Sequence, residues 1–298
     1  MKFLIFGRGW LSQHFANQIT AIGHSYTHAQ SRAEQESQVR DELCLNQPDR
    51  VICVIGRTHG QIGDQVWPTI DYLEQPGKLV ENLRDNLYAP LILSRVCQEL
   101  GIHLTYLGTG CIFEYDEAHP LGGSVGFTER DDPNFTGSSY STVKGYTDRL
   151  LRQQKGVLNL RIRMPISDED TSRNFITKIT TYDRICSIPN SMTVLNDLVP
   201  HMLDLSIRQV DGTVNMTNPG VISHNEILSL YQQLVDSSFT WKNFSLEEQR
   251  QILASGRSNN YLETTRLSTL CPSVQPIREA VIEILQKMRD RRSANQDE

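Results

Sequence analysis

No stretch of the chain approaches 18 consecutive apolar residues, so no segment reads as a membrane-spanning helix. The apolar run in the opening MKFLIFGRGW stops at Gly7, too short for the hydrophobic region of a signal peptide, and a soluble, cytoplasmic protein with no membrane partner is expected. Also missing is any CxxC pair or disulfide-rich density. The six cysteines, Cys44, Cys53, Cys97, Cys111, Cys186 and Cys271, are scattered, which predicts free thiols in a reducing compartment and offers no metal-ligand spacing. There is no basic excess: 29 Lys and Arg stand against 35 Asp and Glu, and a net charge of −6 argues against a nucleic-acid partner. Internal repeats and low-complexity segments are absent. What is present, 38% hydrophobic and 21% charged residues over 298 positions, suffices for a sizeable core and points to a small-molecule partner.

Short β-rich runs alternate with longer amphipathic segments through the first half. KFLIF precedes a helix from about Trp10, HSYTHAQ a helix from Ser31 to Leu45, and RVICVIG a helix ending in QELG. HLTYLGTG, a helix around Ser138 to Gln154 and the strand VLNLRIR follow. Such alternation predicts a doubly wound parallel α/β sheet of the Rossmann type, with ligands at the carboxyl ends of the strands. After about Pro165 the turn-rich SIPNS and TNPG interrupt helices such as LVPHMLDLSIRQ and HNEILSLYQQLV, which reads as a smaller lobe. The expected division is a dinucleotide-binding domain over 1–165, a mainly substrate-binding lobe over 166–288 with segments returning to the first domain, and a flexible tail over 289–298. In PIREAVIEILQKM the residues Ile277, Val281, Ile284 and Leu285 form a core-facing stripe at helical spacing.

The first strand runs into Gly7-Arg8-Gly9-Trp10-Leu11-Ser12, the setting in which a glycine-rich turn and a helix N-terminus receive a pyrophosphate. Taken alone GxGxxS is a weak motif; its place at the start of a β/α alternation makes it a dinucleotide signal. An NAD-preferring enzyme carries an acid about 20 residues on, at the end of the second strand. Here that stretch reads Ala29-Gln30-Ser31-Arg32, with no acid before Glu34. Arg32, helped by Arg8, is therefore the candidate for a 2′-phosphate, unless it is an ordinary solvated residue at a helix start.

Tyr140 and Lys144 lie four apart in SSYSTVKGYTDRLL, so on a helix they share a face. It is the sole Tyr-x-x-x-Lys among ten tyrosines. A phenol with a pKa of about 10 works poorly as a proton donor and acceptor at neutral pH until an ammonium stabilises its anion. Thr109 ends the strand HLTYLGTG, where its hydroxyl could bond a substrate carbonyl. Extended-chain alternation would point Cys111 to the same side, although a lone cysteine there reads from composition as inert core.

The segments YLGTGCIFEYD, GFTERDDPNFTGSSYSTVKG, LRIRMPIS, RNFITKI, IPNSMTVL, TNPGVISHNEIL and RSNN are specific, and over about residues 1 to 285 the chain resembles the bifunctional UDP-4-keto-6-deoxy-D-glucose 3,5-epimerase/4-reductases of plants and giant viruses. LGTGC is also similar to GDP-fucose synthase, whose own cysteine takes the place of Cys111. The resemblance implies an extended short-chain dehydrogenase fold, a homodimer, and NADPH as preferred reductant with NADH as an alternative. It implies a reductase set of Thr109, Tyr140 and Lys144, an epimerase acid/base pair of Cys111 and Lys178, and substrate contacts from Asn174 and Arg257, the latter on a UDP diphosphate. Gly56, Asn86, Pro165 and Ile166 join Gly7, Arg8, Gly9, Trp10, Leu11 and Arg32 as implied cofactor positions. Two departures stand out: the glycine loop is one residue short with Ser12 for a glycine, and 57–75 matches the family poorly and contributes no implied residues. A reductase without epimerase activity, or a non-catalytic dinucleotide sensor, remain the alternative readings; the intact Tyr140 and Lys144 speak against the sensor.

Overall fold

The computed structural model describes residues 1–296. In chain order the elements are β1 (Lys2–Phe6), α1 (Trp10–Ala21), β2 (Ser25–His28), α2 (Glu36–Asn46), β3 (Arg50–Cys53), β4 (Gly60–Ile62) and β5 (Gln65–Trp67). A 3₁₀ turn (Ile70–Glu74) leads into α3 (Leu79–Leu83), a π-helical turn (Arg84–Tyr88) and α4 (Ala89–Glu99), followed by β6 (His103–Thr109), α5 (Ser139–Leu151) and β7 (Val157–Ile162). The remainder comprises α6 (Phe175–Thr181), α7 (Leu195–Ile207), β8 (Gly212–Asn215), α8 (His224–Leu234), α9 (Leu246–Ile252), α10 (Thr265–Leu270) and α11 (Ile277–Gln296).

Six strands form one parallel sheet in the order β2-β1-β3-β6-β7-β8. Its strand order reverses between β1 and β3, which opens a crevice at their carboxyl ends. The period of two along β1 is visible in its packing. Phe3 and Ile5 join the core under α1 and α7, whereas Leu4 and Phe6 join the opposite core under α2, α4 and α5. Each fully buried Leu, Ile or Phe of these layers contributes roughly 1.5–3 kcal/mol. A third core under α6, α8 and α11 holds the lobe, and Ile277, Val281, Ile284 and Leu285 all sit in it.

Two elements escaped the sequence reading. A short antiparallel hairpin, β4–β5, rises from the loop after β3, and β8 extends the sheet after α7. The helix expected from Ser31 starts only at Glu36, because the backbone N–H groups of Gln30 and Ser31 are taken by the Glu42 carboxylate at 2.8 Å each, holding that stretch as a turn. The tail expected over 289–298 is a further correction: α11 runs on through Gln296. It is tied down by Arg291 on Asp168 at 2.6 Å and by Arg292 over the Tyr231 ring. The last two residues of that expected tail lie outside the described ones.

Candidate active site

The first turn of the crevice is made by glycine for steric reasons. Gly7 adopts φ +114°, and a Cβ there would sit 2.7 Å from Val54 on the neighbouring loop. At Gly9, the residue capping α1, a Cβ would meet nothing within 4 Å, which leaves open space above the helix N-terminus and its unpaired N–H groups. Trp10 and Leu11 begin α1, and the Trp10 indole N–H donates to Glu169 at 2.5 Å, tying the turn to the lobe. Ser12, where a third glycine was expected, is buried with its hydroxyl 3.4 Å from His28 Nδ1, so the helix still packs closely on β2.

At the tip of β2 the Arg8 guanidinium donates to the Ala29 carbonyl at 3.0 Å, and the exposed Arg32 pairs with Glu34 at 2.5 Å. Spacing did not reveal the second acid here, Glu42, which belongs to α2. Across the crevice Gly56 is exposed, and Asn86 from the π-helical turn clamps the next residue. Its Oδ1 accepts from Arg57 N and its Nδ2 donates to Arg57 O, both at 2.9 Å.

Thr109, Cys111, Tyr140 and Lys144 converge, though not in the way alternation predicts. The chain leaves β6 at Thr109 and turns, and the Thr109 hydroxyl accepts the Cys111 backbone N–H at 3.0 Å. Cys111 then packs beside Tyr140 in a small cluster with Tyr72, Leu73, Trp67 and Ile70. Tyr140 rides on the first turn of α5, which Ser138 caps by accepting from Ser141 N at 3.0 Å. Two β7 residues fix α5 on the sheet through its buried Asp148: Arg161 at 2.7 Å and Asn159 at 2.7 Å. Burial, and then the neighbouring Cys111, push the Tyr140 phenol above its ordinary value, while Thr109 acts the other way. Burial brings the Lys144 ammonium down to about 8 against the opposing pull of Cys53, Asp148 and Cys111. Its Nζ donates to the hydroxyl of Tyr106 on β6.

Other expected residues have different surroundings. Asn174 is fully buried as the cap of α6, its amide shared among Ser167, Glu169 and Ile176, so it shapes the lobe and is not free to contact a substrate. Ile166 is fully buried in the lobe core, with its N–H on Thr193 O and its carbonyl on Leu195 N, both at 2.8 Å; Pro165 next to it accepts from Phe175 N at 3.0 Å. Lys178, half-buried on α6, is brought down by burial and by Arg173. It stands near His59, whose Nε2 is 2.8 Å from Arg173. Arg257 lines a cavity of about 160 Å³ with Tyr115, Arg250 and Asn259.

Sequence reasoning missed Asp71, His59 and Tyr106. Asp71 and His59 come from the segment with no implied residues, and a tyrosine inside a buried strand reads as core. Asp71 is 8% exposed and holds Arg257 at 2.5 Å, while also accepting from Thr69 and Ser255.

No family model matches the chain. It is 52% identical over 291 residues, 97% of this chain and 99% of the other, to a protein of Acanthamoeba polyphaga mimivirus. The crystal structure of that UDP-rhamnose synthase superposes with a TM-score of 0.92. It is 42% identical over 286 residues, 95% of this chain and 92% of the relative, to the bifunctional dTDP-4-dehydrorhamnose 3,5-epimerase/dTDP-4-dehydrorhamnose reductase of Arabidopsis thaliana. A dTDP-4-dehydrorhamnose reductase of Clostridium acetobutylicum, at 17% identity, superposes with a TM-score of 0.76 over 96% of this chain and 98% of that one, a likeness of fold.

Proposed function

The chain belongs to the bifunctional 3,5-epimerase/4-reductase family of rhamnose-nucleotide synthesis, and from that membership we propose that it converts UDP-4-keto-6-deoxy-D-glucose to UDP-β-L-rhamnose with NADPH. The observation that carries this reading is Cys111, proposed as a proton-transfer group, packed against the cluster that holds Tyr140 and bonded through its backbone to Thr109. Epimerisation and carbonyl reduction need their groups around one sugar, and this cluster supplies both kinds.

A ketone at C4 acidifies the hydrogens on C3 and C5, so one enolate chemistry serves both inversions. Inversion needs a base on one face and an acid on the other, the roles proposed for Cys111 and Lys178. Burial and then Arg173 lower the Lys178 ammonium from its ordinary value, in the direction a group exchanging protons near neutrality needs, whichever of the two roles it takes. The hydroxyls of Thr109 and Tyr140 steady the charge developing on O4. NADPH, when bound, supplies the hydride for C4. Tyr140, kept neutral by burial, delivers the proton to O4, and Lys144 stabilises the phenolate left behind. The residues fit that cofactor: open space above Gly9, a buried ammonium at Lys144, and the exposed guanidinium of Arg32 for a 2′-phosphate. The Arg257 side chain, in its cavity, is proposed to hold the UDP diphosphate.

Two finer features belong to the same reading. All six cysteines are free, in keeping with a cytoplasmic, reducing compartment, and no helix of the described residues is long and apolar enough to cross a membrane. A homodimer is proposed through the face shared by α3, the π-helical turn and α5, where Val80, Leu83, Tyr88, Tyr146 and Leu150 are exposed.

Incubation with UDP-4-keto-6-deoxyglucose and NADPH in D₂O, followed by NMR of the sugar, tests the function. UDP-rhamnose carrying deuterium at C3 and C5 is expected, and Cys111→Ala should lose label at one or both carbons. Reduction without label would leave a reductase alone, and no NADPH oxidation would leave a binding protein.

A further inference from the structure

Tyr106 is an unusual residue for its place. It sits in the middle of β6, 1% exposed, in a core layer otherwise built from Leu4, Val51, Leu104 and similar side chains. A phenol hydroxyl in such a layer needs a polar partner. Among the described residues its one hydrogen-bond partner is the Lys144 ammonium, which also lies 4.6 Å from the centre of its ring. The relation is mutual, since the Lys144 Nζ has no other acceptor there. An ammonium carries three N–H donors, and a buried one left short of acceptors is costly. One donor goes to Tyr106 on the sheet; the other two have no acceptor among the described residues.

We propose that Tyr106 is a positioning residue for Lys144, its phenol oxygen fixing the ammonium from the sheet side so that the two remaining N–H groups face the bound cofactor and Tyr140. This rests on the reading of Lys144 as the lysine of the reductase set. Tyr106 touches neither sugar nor hydride; it acts through the lysine. The other titratable groups facing Lys144 are Cys53 from β3, Asp148 from its own helix and Cys111 from the turn after β6, with Tyr140 close to Tyr106. None of these supplies a hydrogen bond to Nζ among the described residues.

The sign of the effect follows. Charged Lys144 is the working form, and burial already brings it down to about 8, so its charge is lost as pH rises through that value. Removing the Tyr106 hydroxyl takes away the acceptor that favours the charged form, and the loss then begins at lower pH. In full-length enzyme, Tyr106→Phe should move the basic limb of the pH profile for NADPH oxidation down by on the order of one unit. It should also weaken NADPH binding about fivefold at pH 8, with little change at pH 6. In a Lys144→Met background the same substitution should leave NADPH affinity unchanged, because the residue acts through the lysine.

A basic limb and a cofactor affinity equal to those of wild type would overturn the proposal and leave Tyr106 as packing, even if the melting temperature fell. Tyr106→Met, which keeps volume without ring or hydroxyl, serves as second variant, and failure of both to fold would also count against the proposal by making ring packing the residue's role. Cofactor affinity is read without substrate. A wild type that binds NADPH but turns over no 4-keto sugar would therefore sink the proposed function and leave this test standing.

Discussion

Asp71 and Arg257 form the pair through which the loop after β3 reaches the lobe, and their chemistry is set by surroundings no motif announces. Burial alone would raise the Asp71 carboxyl, but the Arg257 bond, Thr69 and Ser255 outweigh it and bring it down to about 2. A carboxylate so depressed contributes stability that is present above its ordinary 3.8 and is lost as pH falls toward about 2. Asp71→Asn should therefore destabilise the enzyme by about 3 kcal/mol at neutral pH, the cost of leaving a half-buried guanidinium without its counter-charge. The gap to wild type should shrink between about pH 4 and pH 2 in thermal melts. If Arg257 holds the diphosphate, affinity for UDP alone should fall on the order of tenfold while NADPH affinity holds. An unchanged UDP affinity, measured by calorimetry, would remove Arg257 from the substrate site.

Among the elements, the interrupted helix from Leu79 to Glu99 positions most for its length. Apolar spacing predicted a helix ending in QELG, and one is there; its π-helical turn over Arg84–Tyr88 was not legible, because apolar spacing does not encode which carbonyl each N–H finds. The turn presents Asn86 to the loop after β3, and lets its carbonyl accept the Thr147 hydroxyl of α5 at 2.6 Å. One widened turn thus links the loop at Gly56 and Arg57 to the helix that carries Tyr140 and Lys144. Asn86→Ala should free that loop at a cost of about 1–3 kcal/mol. Faster amide exchange at Gly56 and Arg57 and a KM for NADPH raised several-fold are expected, with exchange in β1 and β6 unchanged. Uniform acceleration across the sheet would mean that Asn86 supports the fold as a whole.

For the whole molecule, the dimer proposed through α3, the π-helical turn and α5 places the partner on the far side of the helix that carries Tyr140 and Lys144. Light scattering should give twice the 33.9 kDa of one chain, and Val80→Glu with Tyr146→Glu should return it to that mass; a wild-type monomer would discard the interface. The sequence by itself determined the parallel α/β sheet, the glycine turn at its first strand and the helical Tyr140 and Lys144, because these rest on periods of 2 and 3.6 and on local turn chemistry. Family likeness brought in Cys111, Lys178 and Arg257. Tertiary structure alone decided the rest: that Asn174 is a buried cap, that Arg257 is held by Asp71, 186 positions away, and that Lys144 leans on Tyr106, 38 positions away. Such pairings depend on which strand lies beside which and how a helix rests on the sheet, and no local spacing carries that information.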